Sequence, residues 1–210
     1  MIRVLIADDH RIVREGLKQI LAETSDITAV GEASNAGEVL TQVLKNDYDV
    51  VLLDISMPGR SGLEVLRELK SAKAGLKVLM LSMHPEEHYA VRALKAGASG
   101  YLTKDRAPEE LIEAIRRVSL GGKYISATLA EKLAFYLEED SEKPPHERLS
   151  DREYEVMRML VSGKTVKEIA QELSLSVKTV STHRTRLLRK MSMKTNAQLT
   201  SYAIQNKLVE

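Results

Sequence analysis

Three aspartates carry the strongest chemical signal in the chain. Asp8 and Asp9 follow the apolar run IRVLIA, and Asp54 closes VVLLD. Ser82 ends KVLMLS and Lys104 follows GYLT, so five functional groups stand at the same kind of boundary. Singly, an aspartate after an apolar run caps the next helix and a lysine is solvated; together they suggest a site. Three close carboxylates repel one another unless a cation sits among them, and a hard divalent ion such as Mg²⁺ favours a few oxygen ligands plus water. The chain contains no cysteine, so oxygen ligands are expected for any metal. A metal beside a carboxylate at a strand tip suits phosphoryl transfer, which rests on positioning and on neutralising charge on the equatorial oxygens. Lys104 and the Ser82 hydroxyl would supply the remaining neutralisation.

A second constellation lies near the other end. Residues 176–194 hold six lysines or arginines and no acidic residue. At about 100° per residue, Val180, Leu187 and Met191 share one helical face. Lys178, Thr182, Thr185 and Arg189 then lie opposite, with Ser181 and Arg186 flanking the apolar stripe. Ser176 is placed to cap this helix, and residues 173–176 supply a short turn before it, the spacing of a helix-turn-helix. Arginine and lysine at such positions pair with phosphates, while Thr182 and Thr185, together with Ser181 and Lys178, face base edges in a major groove. His183 sits beside the stripe, and no second histidine at metal-binding spacing accompanies it.

The elements that must position these groups read clearly. Five short apolar runs, at residues 3–7, 27–33, 49–53, 77–82 and 100–103, have strand character. Segments of helical period alternate with them; Pro85 and Pro108 open the fourth and fifth helices, and Gly121-Gly122 ends the fifth. Strict alternation implies a doubly wound α/β fold with a five-stranded parallel sheet covered on both faces. Ligands in such sheets bind beyond the carboxyl ends of the strands, where the three aspartates stand.

Residues 127–137 have a further helical pattern, and the polar, Pro-Pro-containing stretch 138–148 reads as an exposed linker. Beyond it only helical periods occur, over 152–162, 166–173, 177–191 and 196–207, so an all-α four-helix domain follows. The expected division is 1–122, a connector over 123–147, and 148–210.

At 210 residues, 43% hydrophobic and 29% charged, the chain can give each half its own core. Residues 1–143 hold 19 basic against 23 acidic side chains, whereas residues 144–210 hold 12 against 7. That asymmetry points to a polyanionic partner for the second half. No run of about 18 apolar residues occurs; together with the absence of cysteine this leads to the expectation of a cytoplasmic protein with no membrane partner.

IADDH at 6–10, VVLLDISMPGRSG at 50–62, LMLSMH at 79–84 and GYLTK at 100–104 resemble the flavodoxin-like receiver domains of two-component response regulators. The resemblance implies Asp54 as phosphoacceptor, with Asp8, Asp9, Asp54 and the Ser56 backbone carbonyl holding Mg²⁺. It also implies Ser82 as switch hydroxyl, Lys104 as phosphoryl-binding lysine, and Tyr101 as an aromatic that reorients toward Ser82. Asp105 departs from the family, where proline is common. The second half resembles the LuxR-type helix-turn-helix through Leu149-Ser150, Arg152-Glu153, Glu168-Ile169-Ala170, Lys178-Thr179-Val180 and His183. Here Ser181 stands where lysine is common, and Arg184 where valine is.

Receiver plus this domain is similar to the NarL/FixJ subfamily. That similarity implies double-stranded DNA, read through Lys178, Thr179, Ser181, Thr182, Thr185, Arg186 and Arg189. It further implies a sensor histidine kinase, a homodimer assisted by the last helix, and the transcription machinery as partners. A phosphohydrolase passing through an aspartyl-phosphate would use the same pocket, but leaves the basic helix without a role. No glycine-rich phosphate loop supports a nucleotide enzyme, so a non-enzymatic regulator is expected.

Overall fold

The computed structural model describes residues 1–106, 108–126, 129–131, 144–206 and 208. Two compact units, Met1–Glu138 and Glu139–Glu210, make up the chain.

In the first unit β1 (Ile2–Ala7), α1 (Arg11–Ala22), β2 (Ile27–Ala33), α2 (Ala36–Lys45), β3 (Val50–Asp54), α3 (Gly62–Ala72), β4 (Lys77–Ser82), α4 (Glu86–Lys95), β5 (Gly100–Thr103) and α5 (Pro108–Ser119) alternate strictly. The strands are parallel in the order β2-β1-β3-β4-β5. All five residues of β3 are buried, as a central strand covered on both faces requires. On one face Val4, Ile6, Leu52, Leu79 and Leu81 pack with Leu111, Ala114, Ile115 and Val118 of α5. The alternate residues Leu5, Val51, Leu53, Val78 and Met80, also buried, necessarily face the other way. Edge strand β2 is interrupted by partly exposed residues, and its register with β1 shifts between Val4 and Leu5.

The second unit contains a 3-10 turn (Pro145–Arg148) and then α6 (Asp151–Val161), α7 (Val166–Glu172), α8 (Val177–Lys190) and α9 (Asn196–Gln205). Each helix starts at a hydroxyl: Ser150, Thr165, Ser176 and Thr195 accept from the amides of Glu153, Glu168, Thr179 and Gln198. In three of them Glu153, Glu168 or Gln198 reaches back to complete a capping box. Val156, Met157, Ile169, Val180, Leu187, Leu199 and Ala203 are fully buried.

Strand β1 starts one residue earlier than expected, and β3 runs one residue later at each end. Asp49 marks the reason, since its carboxylate and amide close the turn onto Arg3 rather than joining the ladder. Pro85 is the N-cap of α4, which begins at Glu86. The exposed linker is corrected at its end: residues 145–148 form the 3-10 turn, and His146 is buried against Tyr154 and Tyr202, whose hydroxyl lies 2.8 Å from its Nδ1. Proline at the start of that turn presets its φ. Most of the helical pattern over 127–137, residues 138–143 of the linker, and Lys207 at the expected end of the last helix lie outside the described residues. Among the described residues no helix is long and apolar enough to cross a membrane.

Candidate functional site

Parallel register brings the aspartates together. Ala7 pairs with Leu53, so Asp8 and Asp54 leave adjacent strands side by side; Asp54 pairs with Leu81 and Ser82 with Thr103, which puts Lys104 at the same sheet edge. The Lys104 amide donates to the Ser82 carbonyl at 2.8 Å. The Lys104 ammonium lies 2.6 Å from Asp8 Oδ2 and 3.0 Å from Asp54 Oδ2. Asp8 and Asp54 are almost wholly buried, whereas Asp9 is partly open.

This is an electrostatically loaded arrangement. Burial pushes the Asp54 carboxyl above its usual range; Lys104 opposes the rise, Asp8 adds to it, and the Ser56 backbone amide opposes it again. Burial likewise disfavours the Lys104 ammonium, but Asp54 and Asp8 outweigh it and hold that group above its ordinary range. The two carboxylates thus share one resident cation. Neither oxygen of Asp54 has a hydrogen bond of good geometry, and Oδ1 has no ion pair either. One ligand atom each from Asp8, Asp9, His10 and Asp54 falls within a 4.8 Å cluster. Orphaned, buried carboxylate oxygens around a single lysine fit an oxygen-coordinated divalent cation.

His10 is the residue that sequence reasoning passed over. Its Nδ1 lies 2.8 Å from Asp9 Oδ1 and 3.3 Å from Asp8 Oδ1, and its amide donates to Asp8 Oδ1 at 2.8 Å. Its place directly after the acidic pair, as N-cap of α1, was the available signal. Ser56 stands two residues beyond Asp54 in the loop leading to α3, its side chain exposed. That loop folds back tightly, with the Gly62 amide donating to the Ile55 carbonyl at 2.8 Å. A Cβ at Gly62 would lie 2.2 Å from the Asp54 carbonyl oxygen, so the glycine of GRSG is demanded by close backbone approach.

Ser82 is fully buried, and its Oγ accepts from the His84 amide at 2.9 Å. Tyr101 is also fully buried and points inward, its hydroxyl donating to the His84 carbonyl at 2.8 Å. Both expected switch residues therefore meet on His84. Exposed Asp105 has its carboxyl held below the usual range chiefly by the Thr103 hydroxyl.

The basic helix α8 has the expected polarity. Val180, Leu187 and Met191 are buried, joined by Leu188. Lys178, Ser181, Thr182, Thr185, Arg186 and Arg189 are exposed. The Thr182 and Thr185 hydroxyls donate to the Lys178 and Ser181 carbonyls, which leaves acceptor lone pairs and methyl groups on the outer face. Thr179 is placed differently: it is half-buried, and its hydroxyl lies 2.8 Å from Ser176 Oγ within the cap. Two further cations of the basic run are structural. Arg184 Nε donates to Asn196 Oδ1 at 2.9 Å, and Lys190 Nζ donates to Glu153 Oε2 at 2.6 Å. Arginine at 184, unusual for the resembling family, therefore ties α8 to the start of α9.

Comparison with known proteins agrees with this geometry. Residues 4–116 match the response regulator receiver domain, and residues 147–203 match the bacterial regulatory proteins of the luxR family. The response regulator UvrY of Escherichia coli K12 is 40% identical over 209 residues, covering 99% of this chain and 96% of that protein. The response regulator GacA of Pseudomonas protegens is 38% identical over 210 residues, covering 100% and 99% respectively. RcsB of Salmonella enterica serovar Typhimurium, solved bound to the promoter P1flhDC in the presence of the phosphomimetic BeF3-, is 27% identical, with a TM-score of 0.66 over 96% of this chain and 97% of that one. With a sheet-edge acidic pocket in one unit and a capped basic helix in the other, the chain belongs to the NarL/FixJ-type response regulators, transcription regulators that join a receiver domain to a LuxR-type DNA-binding domain.

Proposed function

We propose that Asp54 accepts a phosphoryl group from a sensor histidine kinase, and that this modification controls homodimer formation and sequence-specific binding of double-stranded DNA. The receiver spans 1–122, the connector 123–147 and the DNA-binding domain 148–210. The observation that carries the reading is the buried Asp54 carboxylate at the sheet edge, with its Oδ2 3.0 Å from the Lys104 ammonium and Asp8 and Asp9 beside it. Asp54 Oδ1 attacks phosphorus, the bond from phosphorus to the donor's leaving atom breaks, and the leaving group takes a proton. Asp8, Asp9, Asp54 and the Ser56 carbonyl would hold Mg²⁺, which supplies neutralisation of charge on the transferring group. Lys104 is free to move from the carboxylates to a phosphoryl oxygen, and the Ser82 hydroxyl donates to another while its Oγ still accepts from His84. Tyr101, bonded to the same residue, follows the loop.

These contacts exist only in the modified state, so they bias a two-state equilibrium. On α8, Arg186 and Arg189 contact phosphates, while Lys178, Ser181, Thr182 and Thr185 face base edges, with Thr179 at the cap. A symmetric dimer places two such helices on half-sites about one helical turn apart. The promoter-bound form of RcsB with a phosphomimetic supports this pairing of modification with DNA. The chain acts as a cytoplasmic, non-enzymatic regulator that meets the transcription machinery at promoters.

The experiment is labelling with acetyl phosphate and Mg²⁺, read by intact-mass spectrometry, alongside binding to duplexes selected by the labelled protein. Wild type gains one phosphoryl group on Asp54 and binds about 5- to 150-fold more tightly. Asp54→Ala loses both, and an undiminished gain in that variant rejects the reading.

A further inference from the structure

The chain leaving α5 returns to the sheet at the β5 edge. Tyr124 bridges Gly100 in parallel: its amide donates to the Ser99 carbonyl at 3.0 Å, and its carbonyl accepts from the Tyr101 amide at 3.3 Å. A Cβ at Gly100 would lie 2.6 Å from the Tyr124 carbonyl oxygen, so this glycine makes room for the returning strand. Lys123 Nζ donates to the Ala98 carbonyl and adds a second anchor. Residues 123–124 are thus bound to the strand that carries Tyr101.

Two residues later the connector begins a helical turn. The Ser126 hydroxyl accepts from the Leu129 amide at 3.1 Å, its carbonyl accepts from the Ala130 amide at 3.0 Å, and Leu129 is buried. The same Ser126 hydroxyl donates to the carboxylate of Glu86, the first residue of α4. One hydroxyl therefore both caps the connector and holds the loop that runs from Ser82 through His84.

We propose that Ser126 is a positioning residue through which the phosphoacceptor switch controls the connector, a role that rests on Asp54 being the phosphorylation site. Tyr124 fixes the segment to β5, so the segment cannot follow α4 when the 82–86 loop moves. Drawing Ser82 toward a phosphoryl group on Asp54 shifts Glu86 against a stationary Ser126, and their hydrogen bond is lost. The Ser126 hydroxyl is then free to rotate away, which weakens the cap on Leu129. The contact coexists with the Lys104 ion pair to an unmodified Asp54, and on this proposal it belongs to the unmodified state, where it restrains the output. Removing a contact made in one state only shifts the equilibrium toward the other.

The test uses the full chain with Ser126→Ala, Glu86→Ala, the double variant and the conservative Ser126→Thr. Asp54 labelling by acetyl phosphate is read by mass spectrometry, duplex affinity is measured before and after labelling, and amide exchange is followed at Leu129. The expected result is that both alanine variants label like wild type. Unlabelled, they bind about fivefold more tightly than wild type, and their gain on labelling shrinks by the same factor. The double variant goes no further, Ser126→Thr behaves as wild type, and Leu129 exchange in wild type rises on labelling. Alanine variants with wild-type affinity in both states overturn the coupling, as does an equal loss in both states, which marks a merely structural role. If wild type itself takes no label on Asp54, the phosphoacceptor reading fails and the coupling with it; normal labelling and gain with unchanged alanine variants removes the coupling alone.

Discussion

The acidic pocket gathers Asp8, Asp54 and Lys104 from the ends of three different strands, nearly out of solvent, with one lysine shared between two carboxylates. The basic helix lays Lys178, Arg186 and Arg189 along a single exposed face, within a run of 19 residues free of acids. In the first, charge is precise because the parallel ladder sets its geometry and the low dielectric magnifies each pair. In the second, charge is presented to a polyanion that adapts its own counterions, so register with distant residues matters little. The pocket should therefore break under backbone changes that leave every charge in place. The helix should respond in proportion to the charges removed.

The largest effect expected is on the pocket's scaffold. Gly62→Ala puts a Cβ 2.2 Å from the Asp54 carbonyl oxygen and 2.8 Å from the Ile55 Cα, both backbone atoms that cannot swing away. A cost of about 3 kcal/mol is expected, with Asp54 labelling slowed although no ionisable group is touched. Calorimetry and labelling rates check this, and a variant with wild-type melting and labelling would show that the loop is looser than its backbone suggests.

Next comes the resident cation. Lys104→Ala leaves Asp8 and Asp54 facing each other without compensation, so the receiver should lose about 2 kcal/mol and regain more stability from added Mg²⁺ than wild type does. It should also accept the phosphoryl group yet fail to raise DNA affinity, since the contact that reports modification is gone. Melting with and without Mg²⁺, paired with binding to selected duplexes, measures both halves. Equal Mg²⁺ stabilisation of variant and wild type would detach Lys104 from the metal site.

On the helix, Arg189→Ala should weaken binding to all duplexes by about 1 kcal/mol and reduce the salt slope by about one. Thr182→Ala should leave the slope unchanged and relax preference at one base position by under about 1 kcal/mol, because a single hydroxyl discriminates less than a bidentate pair. Salt titrations against selected and random duplexes separate the two, and a flattened slope for Thr182→Ala would move that residue onto the backbone.

Much of this was legible in the residues. Five apolar runs defined the sheet, four of them leading to the groups of the acidic pocket, and helical period, with Ser176 as a cap, marked the four helices that follow. What escaped has a common physical cause. Tyr124 joins the sheet through backbone hydrogen bonds of one residue, which leaves no periodicity to detect. His146 sits in a polar, proline-rich stretch and is buried against Tyr154 of the next helix and Tyr202 of the last one. Lys190 counts as one more cation along the basic run, but its partner Glu153 lies 37 residues away. His10 was visible beside the acidic pair, yet only three-dimensional distances bring its Nδ1 among their oxygens. Composition and period identify faces; they do not identify which charged residue on a face already has a partner.

That last distinction gives the smallest effect. Lys190 belongs to the basic run by sequence but to the domain's internal structure by contact, since its ammonium meets the same Glu153 oxygen that accepts the Ser150 amide at 2.8 Å. Burial opposes the Glu153 charge, but Lys190 and the Ser150 amide outweigh it and hold the carboxyl below its usual range. A depressed folded-state pKa contributes stability above the unfolded value of about 4.3, and that contribution is lost as pH falls through the lower folded value. Lys190 is partly exposed, so solvent screens the pair and the contribution is under about 1 kcal/mol. Melting of the second unit, followed in the full chain by its amide resonances between about pH 6 and 3, should therefore decline on acidification, and Glu153→Gln should flatten that decline. Lys190→Ala should reproduce the flattening while changing the DNA salt slope less than Arg189→Ala does. Should Lys190→Ala instead lower the slope as much as Arg189→Ala, its charge would be engaged by DNA, and the division of the basic run into structural and DNA-facing cations would fail at that residue.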